Sequence, residues 1–315
     1  MKKDKGYYRV KKGRGFTYVN ERGAQMISKP IQQWIQSLAV PPAWRDVWIS
    51  KDREAYLLAT GHDAAERKQY IYHEKWGEIR EAKKFIQLLT LGKNLAIMRK
   101  RLRADLTQQN LPRTRVLAAV VSIIDQTGER IGNPEYAAAH GSYGITTVRK
   151  KHVKGTAVKK FDYTGKSGIQ RHVEIKDPAI IKVITACEDT TGYELFKYVD
   201  EAGNKQVITS DAVNEYIKAI SKTSITAKDF RTWYGTVQAL KKCLTLGVCD
   251  DAALQVLHAK AVYKYAARKL GNTPKIAQES YVHPSVLELH FSQKLQVSTQ
   301  RATTYLSTEE VALLD

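Results

Sequence analysis

Near residue 80 of this 315-residue chain the spacing of apolar residues changes period, so the chain must build two kinds of core. Before that point, short aromatic and β-branched runs read as strands: Tyr7-Tyr8-Arg9-Val10, Phe16-Thr17-Tyr18-Val19, Val47-Trp48-Ile49 and Tyr70-Ile71-Tyr72. Gly13, Gly15, Gly23 and Gly61 punctuate them as turns. One helix interrupts the strands, from Lys29-Pro30 to Leu38, because Ile31, Trp34, Ile35 and Leu38 recur at helical spacing and Pro30 suits a first turn. From Glu78 onward the period is helical, through Phe85, Leu88, Leu89, Leu95, Met98, Leu102 and Leu106. The expected fold class is α+β: a small strand-rich domain over residues 1–82 and a larger, mainly helical domain over 83–315, with a boundary near 78–86.

The second domain reads as helices at about 84–109, 112–127, 178–190, 210–220, 229–246 and 250–270, with a short turn after 273. Two β-hairpins interrupt them. In the first, Ile169, Arg171, Val173 and Ile175 alternate with Gln170, His172 and Glu174 after a turn at Gly165-Lys166-Ser167-Gly168. The second runs from Leu195–Val199 through Ala202-Gly203-Asn204 to Gln206–Ile208.

Charge narrows the partner class. The formal net charge is +19, from 51 basic and 32 acidic residues, and such an excess favours an extended polyanion through counterion release. The first 84 residues are the more densely basic, with 18 basic against 10 acidic, leaving 33 against 22 for the other 231. Charge alone does not separate DNA from RNA. Cys187, Cys243 and Cys249 lack the paired short spacing of a disulfide framework or zinc site, and the eight histidines lack metal-ligand spacing. No metal or cofactor is expected. No run approaches the roughly 20 apolar residues of a membrane span, so a cytoplasmic protein without membrane contact is expected.

The segment Asn272-Thr273-Pro274-Lys275-Ile276-Ala277-Gln278-Glu279-Ser280-Tyr281 holds the candidate nucleophile. Gly271 closes the preceding helix, Thr273 caps the next turn and Pro274 suits its first position, which carries Tyr281 to the end of a short helix. A tyrosine hydroxyl has a pKa near 10 and attacks poorly unless positive charge favours the phenolate. Arginine supplies such charge, and its planar fork matches two non-bridging phosphate oxygens. Arg130 lies in Arg130-Ile131-Gly132-Asn133-Pro134-Glu135-Tyr136, after the apolar helix Leu117–Ile124. Arg231 follows a capping box, Thr226-Ala227-Lys228-Asp229, and is expected in the first helical turn. Lys166, at a hairpin tip, suits a general acid for a departing 5′ oxygen. A phosphate-binding loop at Gly165-Lys166-Ser167 is excluded, because the required earlier glycine is Lys160.

In this order and these contexts, the residues resemble those of the type IB DNA topoisomerases of the compact poxvirus-like and bacterial branch. The resemblance extends to Val40-Pro41-Pro42-Ala43-Trp44-Arg45-Asp46-Val47-Trp48-Ile49, to Ala59-Thr60-Gly61-His62-Asp63 and to Arg67-Lys68-Gln69-Tyr70-Ile71-Tyr72-His73. It implies relaxation of positive and negative supercoils by single-strand cleavage and religation, without ATP or metal. Tyr281 would form a 3′-phosphotyrosyl bond, Arg130 and Arg231 would stabilise the transition state, and Lys166 would be the general acid. Tyr136 would contact a backbone phosphate, and Gln69, Tyr70 and Tyr72 would lie on a strand facing DNA bases. A monomeric, C-shaped clamp on duplex DNA is implied as well. Where the best-known members have a histidine nine residues before the tyrosine, this chain has Asn272, which donates a hydrogen bond but cannot titrate.

The nearest alternative is a tyrosine recombinase or integrase. It is disfavoured by Lys228, where the recombinase pattern has histidine, and by the strand-rich first domain. A non-catalytic nucleic-acid-binding protein would share the charge and the interleaved aromatics. His283 and the tail after His290 have no assigned role, and the tail's acidic residues are expected to stay clear of DNA.

Overall fold

The structure is a computed structural model that describes residues 5–24, 28–249, 251–295 and 301–314, with side chains except at 77–83. It divides into two compact units, Met1–Lys84 and Phe85–Asp315.

In the first unit, β1 (Tyr7–Lys12), β2 (Gly15–Asn20), α1 (Lys29–Ser37), β3 (Arg45–Ile49), β4 (Leu57–His62) and β5 (Lys68–Tyr72) follow in order. The strands form one antiparallel sheet, β2-β1-β3-β4-β5. Ile35 of α1 meets Val47, Ile49 and Ala59 in its core, with Trp34, Trp44 and Ile71 packed around them. β4 is not legible from sequence, because Gly61 reads as punctuation between strands. A Cβ at Gly61 would come within 2.9 Å of the Trp44 ring and 3.1 Å of Val47 Cγ2, so the strand uses glycine to let these side chains cross it.

The helix α2 (Glu74–Leu106) begins earlier than the helical period suggested. The expected boundary at 78–86 falls within it, and the side chains at 77–83 lie outside the described ones. There follow α3 (Arg113–Thr127), α4 (Pro134–His140), β6 (Val153–Lys154), β7 (Lys159–Thr164), β8 (Gln170–Ile175) and α5 (Pro178–Glu188). Next come β9 (Lys197–Val199), β10 (Lys205–Val207), α6 (Ser210–Ser221), α7 (Ala227–Leu244) and α8 (Ala252–Leu270). The last are α9 (Pro274–Ser280), α10 (Ser285–Phe291) and α11 (Thr308–Ala312). Both predicted hairpins are present, with β6 added as a third strand beside β7. The short helices α4, α10 and α11 were not foreseen, since each is too brief to show a period.

α3 is the centre of the second unit. Every residue from Arg115 to Asp125 is buried, as in a helix packed on all sides, here against α5, α6 and α7 among others. Its end is thus one of the most firmly held points in the chain, and Arg130 follows three residues later. A second apolar cluster joins Leu240 and Cys243 of α7, Val262 and Ala266 of α8, Ala277 of α9, and Val282, Val286 and Leu287. This cluster seats the segment bearing Tyr281.

The tail packs inward. Arg99 of α2 donates to both oxygens of Asp125 on α3, at 2.7 and 2.9 Å, and to both oxygens of Glu310 on α11, at 2.8 and 2.7 Å. Glu310 also accepts from Trp233 Nε1 of α7 at 3.0 Å. Its carboxylate is 7% exposed, so this acidic residue is a core group rather than a free surface charge. No helix among the described residues is long and apolar enough to cross a membrane.

Candidate active site

Tyr281 is delivered by a helix stop and a helix start, as its sequence signals. Gly271 ends α8 in the left-handed region at φ 60°, Thr273 caps α9 by accepting from Ile276 N at 3.3 Å, and Tyr281 closes α9 through its N–H to Ala277 O at 3.0 Å. The tyrosine backbone rests on α7. A Cβ at Gly235 would fall 2.7 Å from the Tyr281 carbonyl oxygen, and Thr236 Oγ1 lies 3.2 Å from that oxygen while accepting the His283 N–H at 3.2 Å. His283, unassigned from sequence, packs against Phe85 with tilted rings whose centroids are 4.2 Å apart.

The last carbonyls of α8 are each taken by a different arginine. Arg171 Nη2 donates to Lys269 O at 3.0 Å, Arg231 Nη2 to Leu270 O at 3.2 Å, and Arg130 Nη1 to Gly271 O at 3.2 Å. Arg231 Nη1 also donates to Gly128 O, at the end of α3, and Arg130 Nη2 donates to Asn272 Oδ1. Arg231 is 4% exposed and lies in the second turn of α7, one turn later than expected, with Asp229 accepting from the Thr226 N–H and hydroxyl at 2.8 and 2.7 Å. Because Asn272 spends its oxygen on Arg130, its Nδ2 is left as a donor. That nitrogen and Arg231 Nε are buried and find no acceptor within the protein, among the described residues.

Arg231 places its guanidinium carbon 5.0 Å from the Tyr281 ring centroid. Burial by itself raises the phenol pKa. The charge and hydrogen bond of Arg231, with the charges of Arg130 and Lys228, outweigh that and hold Tyr281 below the ordinary phenol value. Burial and the like charge of Arg231 in turn lower Arg130. The cluster is a phenol prepared to ionise, ringed by cations and unpaired donors. Such a set suits attack on an anionic ester.

Comparison with known proteins agrees. The family model of the eukaryotic DNA topoisomerase I catalytic core matches residues 73–306, and that of the bacterial DNA topoisomerase IB N-terminal domain matches residues 15–63. The chain belongs to the type IB DNA topoisomerases. It is 30% identical over 294 residues to DNA topoisomerase 1B of Acanthamoeba polyphaga mimivirus, covering 90% of this chain and 87% of the relative. It is 24% identical over 294 residues to DNA topoisomerase 1B of vaccinia virus (strain Copenhagen), covering 89% and 88%.

Of the residues expected to serve this topoisomerase, Tyr281, Arg130, Arg231 and Asn272 converge. Lys166 is exposed at the β7–β8 tip, within a single helical turn whose Ser167 and Gly168 have φ 62° and 74°. Among the described residues no hydrogen bond or ion pair ties Lys166 to the arginines. Tyr136 is exposed on α4, beneath the cap that Asn133 forms by accepting from Glu135 N and Tyr136 N. In the first unit, Tyr70 and Tyr72 stack at 6.0 Å on the exposed face of β5, as alternation requires.

Gln69 does not join them. It shares the opposite face with Ile71, and its Nε2 donates to Asp63 Oδ2 at 2.9 Å. Hydrogen bonds from the Arg67 backbone and side chain, and from Gln69, bring Asp63 down to a pKa of about 2. The carboxylate is therefore an acceptor only, and it turns the Gln69 amide nitrogen toward itself.

Sequence reading overlooked Lys228 as a functional residue. It is exposed on the first turn of α7, and only its nearness to the tyrosine in space shows its effect. Lys228→Ala removes a charge that favours the phenolate, so the phenol pKa rises toward its ordinary value. The alkaline rise in the single-turnover rate of DNA cleavage is expected to move to higher pH. An unshifted profile would remove Lys228 from the group that tunes the tyrosine.

Proposed function

We propose that this type IB topoisomerase cleaves one strand through Tyr281 and reseals it by the reverse reaction. Tyr281 loses its phenol proton to solvent, the phenolate oxygen bonds to phosphorus, the P–O5′ bond breaks, and Lys166 gives a proton to the departing 5′ oxygen. Arg130, Arg231 and the free Asn272 Nδ2 hold the non-bridging oxygens as charge builds on them. The free end turns, relieving supercoils of either sign. The 5′ hydroxyl then returns its proton and displaces the tyrosine. The ester linkage is kept throughout, so the cycle balances without ATP.

The observation that carries this reading is the buried pair of unpartnered donors, Asn272 Nδ2 and Arg231 Nε, beside a tyrosine whose phenolate is favoured. The same proposal has the chain act as a monomer, with the two units clamping duplex DNA. Tyr70, Tyr72 and Tyr136 would supply exposed aromatic contacts to it, and Gln69 would reach a base only through its free carbonyl oxygen. Its place of action would be the nucleoid.

Relaxation of positively and negatively supercoiled plasmid, in EDTA and without ATP, tests the reading. Both substrates should relax fully. Relaxation of one sign alone, or a requirement for a divalent metal, would count against it.

A further inference from the structure

A buried carboxylate beside the arginine cluster grips both strands of the hairpin that carries Lys166. Tyr163 and Arg171 are cross-strand partners on β7 and β8, three residues before Lys166 and five after it. Tyr163 Oη donates to Glu129 Oε2 at 2.5 Å, and Arg171 donates to Glu129 Oε1 through Nε at 2.8 Å and also through Nη2. Glu129 is 2% exposed and immediately precedes Arg130 in the chain.

Arg171 reaches the other parts of the site as well. Its Nη2 takes the Lys269 carbonyl, and a Cβ at Gly271 would fall 2.5 Å from its Nη1, so the glycine before Asn272 lies flat on the guanidinium. A Cβ at Gly165 would lie 3.1 Å from Arg171 Cγ, so the residue before Lys166 rests on the same side chain's stem. One buried cation thus touches the hairpin tip, the neighbour of Arg130 and the neighbour of Asn272. Its Nε and Nη2 are both spent on protein acceptors, Glu129 and the Lys269 carbonyl, and its Nη1 lies against Gly271. Alternation puts Arg171 on an apolar face with Val173 and Ile175, where a charge is costly unless it is paired, as it is here by Glu129.

We propose that Arg171, through Glu129, is a positioning residue that sets the register of the Lys166 hairpin against the arginine–asparagine cluster, so that proton delivery and phosphate stabilisation act on one ester. The inference rests on the role given to Lys166 above. It predicts a defect confined to the leaving group. Misplacing a catalytic group by about 1 Å costs on the order of 100-fold.

The test is single-turnover cleavage of a duplex with one cleavage site, made with either the natural 5′ oxygen or a bridging 5′ sulfur at the scissile bond. A thiolate leaves without a proton, so a sulfur substrate bypasses the general acid. Lys166→Ala should cleave the oxygen ester poorly and the sulfur ester near the wild-type rate; failure on both would sink the general-acid role itself. Given rescue of that control, Arg171→Met should lose about 100-fold on oxygen and stay within a few-fold of wild type on sulfur. Arg171→Lys, which keeps a donor toward Glu129, should recover part of the loss. Equal losses on both substrates, or no loss on either, would overturn the assignment. If Arg171→Met melts too low to assay, Tyr163→Phe removes the other grip on the same carboxylate and should show a smaller loss on oxygen alone. Equal losses or none overturn the proposal there too.

Discussion

Tyr281→Phe is expected to abolish covalent attachment to DNA and lower relaxation of both supercoil signs by on the order of 10⁴-fold or more. The substitution removes one oxygen. The ring stays beneath Arg231, and the backbone stays pinned by Thr236 and Ala277, so neither fold nor DNA affinity should change much. Denaturing gels of protein mixed with end-labelled duplex give the readout: an adduct with wild type, none with the variant, and equal retardation of both on native gels. An adduct formed by the variant would move the nucleophile to another residue.

The largest effect on stability is expected from Arg99→Met. The guanidinium holds Glu310 below the usual carboxylate range against the opposing effect of burial, whereas at Asp125 burial prevails and leaves the group above it. Methionine fills similar space but leaves two buried carboxylates facing each other without a cation. Breaking such a network costs about 3–5 kcal/mol, or roughly 10 °C in melting temperature for a chain of this size. The sign of the pH dependence follows. Without Arg99 both carboxylates bind protons more readily in the folded state, and protonation removes the buried charge. The gap between variant and wild type is therefore widest at neutral pH and narrows as pH falls. A gap that stays constant from pH 7.5 to 5 would show that the loss is one of packing, not charge.

Local signals carried most of what was legible in advance. The change of period separated the sheet unit from the helical one, and the Gly271-Asn272-Thr273-Pro274 punctuation placed Tyr281 at a helix end. The capping box announced the helix of Arg231. Contacts between distant residues were not legible: Arg231 meets Leu270 across 39 positions, and Arg130 meets Gly271 across 141. The resemblance groups Gln69 with Tyr70 and Tyr72, whereas the two-residue period of a strand turns it to the other side. The tail has no role legible in sequence, because the partner of Glu310, Arg99, lies 211 residues earlier. Arg171 was visible on its apolar face, but a buried arginine has no meaning until its acceptors are known.

The row of arginines on the end of α8 has a further electrostatic consequence. Proteins commonly bind phosphate at helix N-termini, where the macrodipole is positive. Here the backbone at the site comes from the C-terminal ends of α3 and α8, whose last carbonyls carry partial negative charge. The scaffold alone would repel a phosphodiester, and the arginines invert its sign, with Arg231 Nε left without a protein acceptor among the described residues. Removing one of them therefore does more than delete a contact: it uncovers a helix end that opposes the substrate.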